Sequence, residues 1–117
     1  MRHIAILLPA LMLAACGTSE APLRPLTQEQ SAALRPAEAR RAELYGNSGR
    51  TCHTVEASLA PLTGDRTLWD ARWAQGEEAL LAAVLQGKQA MPAGGQCFTC
   101  TPDDYRALIR FMAGRNK

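Results

Sequence analysis

With 117 residues and a formal charge of +2, from 13 Lys and Arg against 11 Asp and Glu, the chain has room for one small domain and a tail. That charge is too small and too scattered for nucleic-acid binding, which neutralises many phosphates with clustered basic side chains. Hydrophobic residues make up 47% of the chain but aromatics only 5%, so the core is modest and a domain of this size calls for a staple or a cofactor.

Met1 to Ala15 reads as a secretory signal: Arg2 precedes an apolar stretch from Ile4 to Leu13 that ends in small residues before Cys16. The stretch is too short to span a bilayer. Leu13-Ala14-Ala15-Cys16 resembles the lipobox of bacterial lipoproteins, which implies cleavage before Cys16 and lipid on its sulfur. Each buried methylene of such chains adds about 0.8 kcal/mol of membrane affinity, so the anchor is effectively permanent. Gly17 stands where lipoproteins retained at the inner membrane often carry Asp, and the same resemblance points to the outer membrane.

Residues 16–36 are expected to form the lipidated N-terminus and a flexible tether, because Pro22, Pro25 and Pro36 lie among Ser, Thr, Glu and Gln. A flexible tether of that length spans about 25 Å on average. Thr27 to Leu34 is compatible with a short helix, but the spacer reading is preferred.

Residues 37–117 form the domain. Ala37 to Tyr45, rich in Ala, Glu and Arg, is a predicted helix stopped by Gly46, and its adjacent Arg40 and Arg41 suit a solvated face. Arg66 to Ala74 is a second, short one. Glu77 to Gln86 places two acids in its first turn and Leu80, Leu81, Val84 and Leu85 on one face, with Gly87 following. The last helix is the clearest: Thr101 caps it, Pro102 takes the first position, Asp103 and Asp104 suit its positive end and Gly114 terminates it. Tyr105, Leu108, Ile109 and Met112 recur at helical spacing, which makes Met112 a core residue. No segment alternates as a strand, so the fold class is all-α, with three to five short helices.

The chemistry lies in Gly49-Arg50-Thr51-Cys52-His53. Its last two residues match the end of Cys-x-x-Cys-His, the attachment motif for c-type haem, with glycine in place of the first cysteine. In that motif thiols add to the haem vinyl groups and the histidine becomes the proximal iron ligand. His53 is the only histidine outside the leader. Met91, in a loop from Lys88 to Gly95 and followed by Pro92, is the candidate for the sixth ligand, so the metal ligands are His53 and Met91.

These features resemble the short class I cytochromes of bacteria, and within them the cytochrome c-five group. The likeness runs from Ala37 to Met112 through Leu44-Tyr45, Cys52-His53, Ala60-Pro61, Thr63-Gly64-Asp65, Trp69, Arg72, Ala74-Gln75-Gly76, Gly87, Met91-Pro92 and Cys97-Phe98-Thr99-Cys100. The resemblance implies a small cytochrome fold wrapped around one haem. It further implies that Pro61 offers its carbonyl to His53, that Trp69 and Arg72 lie near a haem propionate, and that Cys97 and Cys100 form a disulfide. A cross-link closing so short a loop contributes about 2 kcal/mol, so its role is to shape the turn after Met91.

With Gly49 in the motif, the cofactor is either haem c held by one thioether through Cys52 or non-covalent haem b, iron in both cases. The first covalent tie already makes haem binding intramolecular, so the second adds less. The implied function is one-electron transfer with redox proteins, not enzyme catalysis, at the periplasmic side of the envelope. Two alternatives stay open. One is a haem-free lipoprotein of the same fold serving as a structural or interaction module. The other makes Cys97 and Cys100 a dithiol, or a metal site with Cys52 and His53.

Overall fold

The computed structural model describes residues 22–116. The signal, Cys16 and the first part of the tether fall outside the described residues. Six helices follow in order: α1 (Gln28–Ala33), α2 (Ala39–Gly46), α3 (Arg50–His53), α4 (Arg66–Trp73), α5 (Glu77–Gln86) and α6 (Pro102–Met112). Two 3₁₀ turns, Glu56–Ser58 and Ala93–Gln96, punctuate the loops, and a single bridge between Lys88 and Met91 is the only β-type pairing among the described residues. The fold is all-α, as expected; α1 and the one-turn α3 are the additions to the helices read from periodicity. No described helix is long and apolar enough to cross a membrane.

Each main helix begins where local chemistry supplies a cap. Glu38 accepts hydrogen bonds from the amides of Arg40 and Arg41, so α2 starts two residues later than Ala37. Asp65 accepts from the amide of Thr67 at α4. Thr101 and Asp104 form a reciprocal capping box at α6, with Pro102 at the first turn.

α6 is the organising element. Its stripe buries Leu108, Ile109, Phe111 and Met112, and it packs on α2 and α5. Across the α2 contact the Tyr45 and Phe111 rings meet edge to face, with centroids 4.9 Å apart. Tyr45 is fully buried, and its hydroxyl donates to Oγ1 of Thr63 at 2.9 Å. The amide of Gly64 donates to the Met112 carbonyl at 2.7 Å. Through these two bonds the C-terminal end of α6 and the buried edge of α2 hold the loop that follows α3.

The expected tether differs from the structure in its second half. Residues 26–34 are packed on the domain, and Ser31 in α1 is fully buried. Thr27 caps α1, and the Gln30 side chain accepts from the Thr27 amide in return. The Leu26 amide donates to Asp65 at 3.0 Å, and Gln28 accepts from the Glu56 amide at 2.9 Å. The packed unit therefore begins at Leu26, ahead of the expected boundary at 37.

Candidate functional site

α3 is a single helical turn that sets Cys52 and His53 side by side. Gly49 opens it in ordinary helical conformation, and the His53 amide donates to the Gly49 carbonyl at 2.8 Å. The Cys52 thiol is free and exposed, while the neighbouring His53 is buried, at 8% exposure. Consecutive side chains on one turn diverge, so one residue meets solvent and the next the interior.

The loop after α3 folds back under the imidazole. The Thr63 amide donates to the His53 carbonyl at 2.7 Å. That closure sets Pro61 beneath the ring, and Nδ1 of His53 lies 2.8 Å from the Pro61 carbonyl oxygen. A carbonyl only accepts, so Nδ1 carries the hydrogen, and in the neutral ring Nε2 keeps the unshared lone pair. Burial pushes the His53 pKa below the ordinary histidine range; the Pro61 bond opposes that shift and the Arg72 charge adds to it. Burial thus favours the neutral imidazole and Pro61 sets its tautomer, which is the form that ligates metals.

Trp69 on α4 stands against His53, with ring centroids 5.7 Å apart and planes tilted by 30°. Its indole N–H donates to the Leu62 carbonyl at 2.9 Å, fixing the ring on the same loop. Arg72, one turn further along α4, is exposed and donates to the Leu68 carbonyl.

Met91 lies on a separate loop after α5, and it is half-buried. Lys88 and Met91 exchange backbone hydrogen bonds of 3.0 and 2.9 Å. Gly87 is required there: its φ is +81°, and a Cβ would stand 2.9 Å from the Ala93 amide nitrogen and 3.0 Å from the Met91 carbonyl oxygen. The far side of the loop is held by Tyr105 of α6, whose hydroxyl lies 3.0 Å from the Gly94 carbonyl and 2.9 Å from that of Cys97.

Cys97 and Cys100 are joined as a disulfide with their Cα atoms 5.4 Å apart. With that bond in place neither sulfur is a thiolate ligand for a metal site with Cys52 and His53. Among the described residues no group of three or more His, Cys, Asp or Glu is arranged to hold a metal ion.

The structure therefore brings Cys52, His53, Pro61 and Trp69 together, sets Arg72 near enough to bear on the His53 charge, and carries Met91 on its own clamped loop. Three further residues were not legible as site residues. Ser31 bonds the His53 and Thr63 carbonyls. Tyr105 shows in the sequence only as part of an apolar stripe, and its hydroxyl braces the Met91 loop. Leu59, between His53 and Pro61, adopts a left-handed conformation at φ 60° and is 90% exposed.

Comparison with known proteins gives the family. Residues 36–112 match the family model described as cytochrome C oxidase, cbb3-type, subunit III. Cytochrome c5 of Azotobacter vinelandii is 38% identical over 65 residues, 54% of this chain and 78% of the relative. Cytochrome c-555 of Chlorobaculum tepidum is 32% identical over 77 residues, 62% of this chain and 71% of the relative. One chain in a crystal structure of an electron transfer complex of nitrite reductase with cytochrome c is similar at a TM-score of 0.59 and 33% identity; the match covers 70% of this chain and all of that one. The chain belongs to this cytochrome c family and is a small class I c-type cytochrome.

Proposed function

We propose that the protein is a lipid-anchored monohaem carrier of single electrons, in which His53 and Met91 would ligate the iron and Cys52 would hold the haem by one thioether. The observation that carries the reading is the buried His53, whose Nδ1 lies 2.8 Å from the Pro61 carbonyl oxygen, beside the exposed thiol of Cys52. This donor set fits haem c: an imidazole nitrogen of fixed tautomer, a thiol adjacent in sequence, and a thioether sulfur on a braced loop.

Bound haem would supply a one-electron iron couple. The chain's own work is to hold that group, to keep water from the ligands and to leave both ligands in place through each transfer. Trp69 and the loop from His53 to Thr63 back the imidazole. The Lys88–Met91 pairing and Tyr105 brace the methionine side. Arg72 supports the propionate role through its position one turn beyond Trp69. Iron held by both His53 and Met91 would offer no open position to a substrate, which supports a carrier over an enzyme.

The lipobox at Cys16 supports anchoring at the periplasmic face of the outer membrane, with redox proteins as partners. The similar cytochrome c chain in complex with nitrite reductase supports the same class of partner. The test is to mature the full chain in a host that assembles c-type cytochromes and to record reduced spectra before and after acid-acetone extraction. A c-like band that resists extraction and is red-shifted by one unreacted vinyl is expected. Extractable haem replaces the thioether with a b-type mode, and a colourless protein overturns the carrier. Mass analysis of the mature N-terminus tests the lipid on Cys16.

A further inference from the structure

The loop that carries Pro61 is closed by a residue from outside the matched family region. Ser31, at the centre of α1, is fully buried, and its Oγ lies 3.2 Å from the His53 carbonyl oxygen and 2.9 Å from that of Thr63. The same His53 carbonyl accepts from the Thr63 amide. One hydroxyl hydrogen, 22 and 32 residues away in sequence and shared between two carbonyls with Thr63 the nearer, thus ties both ends of the segment 53–63.

α1 is built to deliver that hydroxyl. Its N-terminus is fixed by the Leu26 bond to Asp65 and the capping box of Thr27 and Gln30. Gln28 reaches the amide of Glu56, in the middle of the same loop. Leu26 and Leu34 close over Gly64, whose φ of +81° and missing Cβ let them approach the backbone. A plain spacer has no reason to bury a serine or to bond three points of one loop.

We propose that α1 is a clasp on the proximal side of the haem site and that Ser31 is a positioning residue for His53. It acts through the loop, by holding the Pro61 carbonyl at hydrogen-bond distance from Nδ1. An imidazole that donates strongly to a carbonyl is a better electron donor to the metal and favours its oxidised form. Loosening the loop weakens that bond and raises the reduction potential. The inference rests on the haem reading above and adds to it a residue that the resemblance does not supply.

The test compares the haem-loaded mature chain with Ser31→Ala, reading the reduction potential and the hydrogen-exchange rate of the His53 Nδ1–H. Ser31→Ala is expected to raise the potential by at least a threefold change in the oxidised-to-reduced ratio, about 28 mV by the one-electron conversion of 59 mV per tenfold. It is also expected to speed Nδ1–H exchange. Gln75→Ala, which trims an exposed neutral side chain between α4 and α5, is expected to leave both readouts unchanged. A folded, loaded Ser31→Ala protein with the parent potential and exchange rate overturns the clasp, as does an equal shift in Gln75→Ala.

If Ser31→Ala cannot be loaded, Gln28→Ala decides, because its bond to Glu56 is exposed and its loss leaves the core intact. A smaller shift in the same direction supports the clasp and an unchanged potential overturns it. A parent chain that never takes up haem defeats the function proposed above, not this inference. Nδ1–H exchange in the colourless chain then carries the test: faster in Ser31→Ala supports the clasp, unchanged overturns it.

Discussion

The sulfur of Met112 stands 3.2 Å from the point where a side chain at Gly49 would begin, and Cδ2 of Tyr45 stands 3.6 Å from it. The place of the absent first cysteine is therefore already lined by the core residues of α2 and α6. Gly49 has φ −54° and ψ −33°, a conformation open to any residue, so glycine is not required by the backbone. A Cβ there asks Met112 to yield by a few tenths of an ångström, which a flexible thioether chain does readily. Replacing a glycine whose backbone suits any residue narrows the unfolded ensemble and returns about 0.4–1 kcal/mol, which offsets the crowding.

Gly49→Cys is accordingly expected to fold with a stability within about 1 kcal/mol of the parent. When matured with haem, its reduced α band is expected to move to shorter wavelength as the second vinyl group is saturated. Denaturant midpoints and reduced pyridine spectra check the two halves. An unmoved band with a free thiol at position 49 means that this side of the motif does not face a vinyl group.

Leu59 carries two costs at once: a left-handed backbone at φ 60° and an apolar side chain that is 90% exposed. A side chain in that conformation costs roughly 1–2 kcal/mol, part of which glycine returns through its larger unfolded-state entropy. Leu59→Gly is therefore expected to stabilise the protein by about 0.5–1 kcal/mol. Urea unfolding with an unchanged m-value is the measurement, and a destabilised variant shows that Leu59 makes contacts that outweigh its strain.

Tyr105 is the strut of the Met91 loop. Its hydroxyl carries one hydrogen, shared between the carbonyls of Gly94 and Cys97. Tyr105→Phe leaves both acceptors without it and is expected to cost about 1–2 kcal/mol. In the haem-loaded protein the same change should weaken the methionine-dependent near-infrared band at temperatures well below unfolding. Loss of stability with that band intact places Tyr105 in packing alone.

The sequence carried the parts of this architecture that depend on near neighbours. The α6 cap, its proline and its apolar stripe lie within one segment, and the structure repeats them in the Thr101–Asp104 box and the buried Leu108, Ile109 and Met112. The resemblance placed Pro61 against His53, and the 2.8 Å contact agrees. α1 was not legible in the same way. Ser, Gln and Pro are spacer composition, and Ser31 becomes a core residue only because two carbonyls from distant segments converge on it. Leu59 was equally silent, since no local pattern signals a leucine forced into a glycine conformation by the loop closing on either side.

Acid stability should be governed in part by Asp104. Its carboxylate is buried at the start of α6, accepts from the Thr101 amide and hydroxyl at 2.9 and 3.0 Å, and pairs with Arg40 at 2.9 Å. These contacts, the Thr101 amide foremost and Arg40 next, lower its pKa from 3.8 to about 2. The unfolded chain therefore takes up this proton first as pH falls. The group's contribution is complete above pH 3.8, declines from there to about 2 and is gone below. Asp104→Asn is expected to lower stability at neutral pH and to flatten its fall across that window. Asp70, Glu78 and Glu38, also lowered by their partners, retain a smaller slope of the same sign. Arg40→Gln should keep most of the Asp104 dependence, because the backbone amide is the larger cause. Urea midpoints at pH 7, 4 and 2 for the three proteins provide the check, and an Asp104→Asn profile parallel to the parent's removes Asp104 from the acid response.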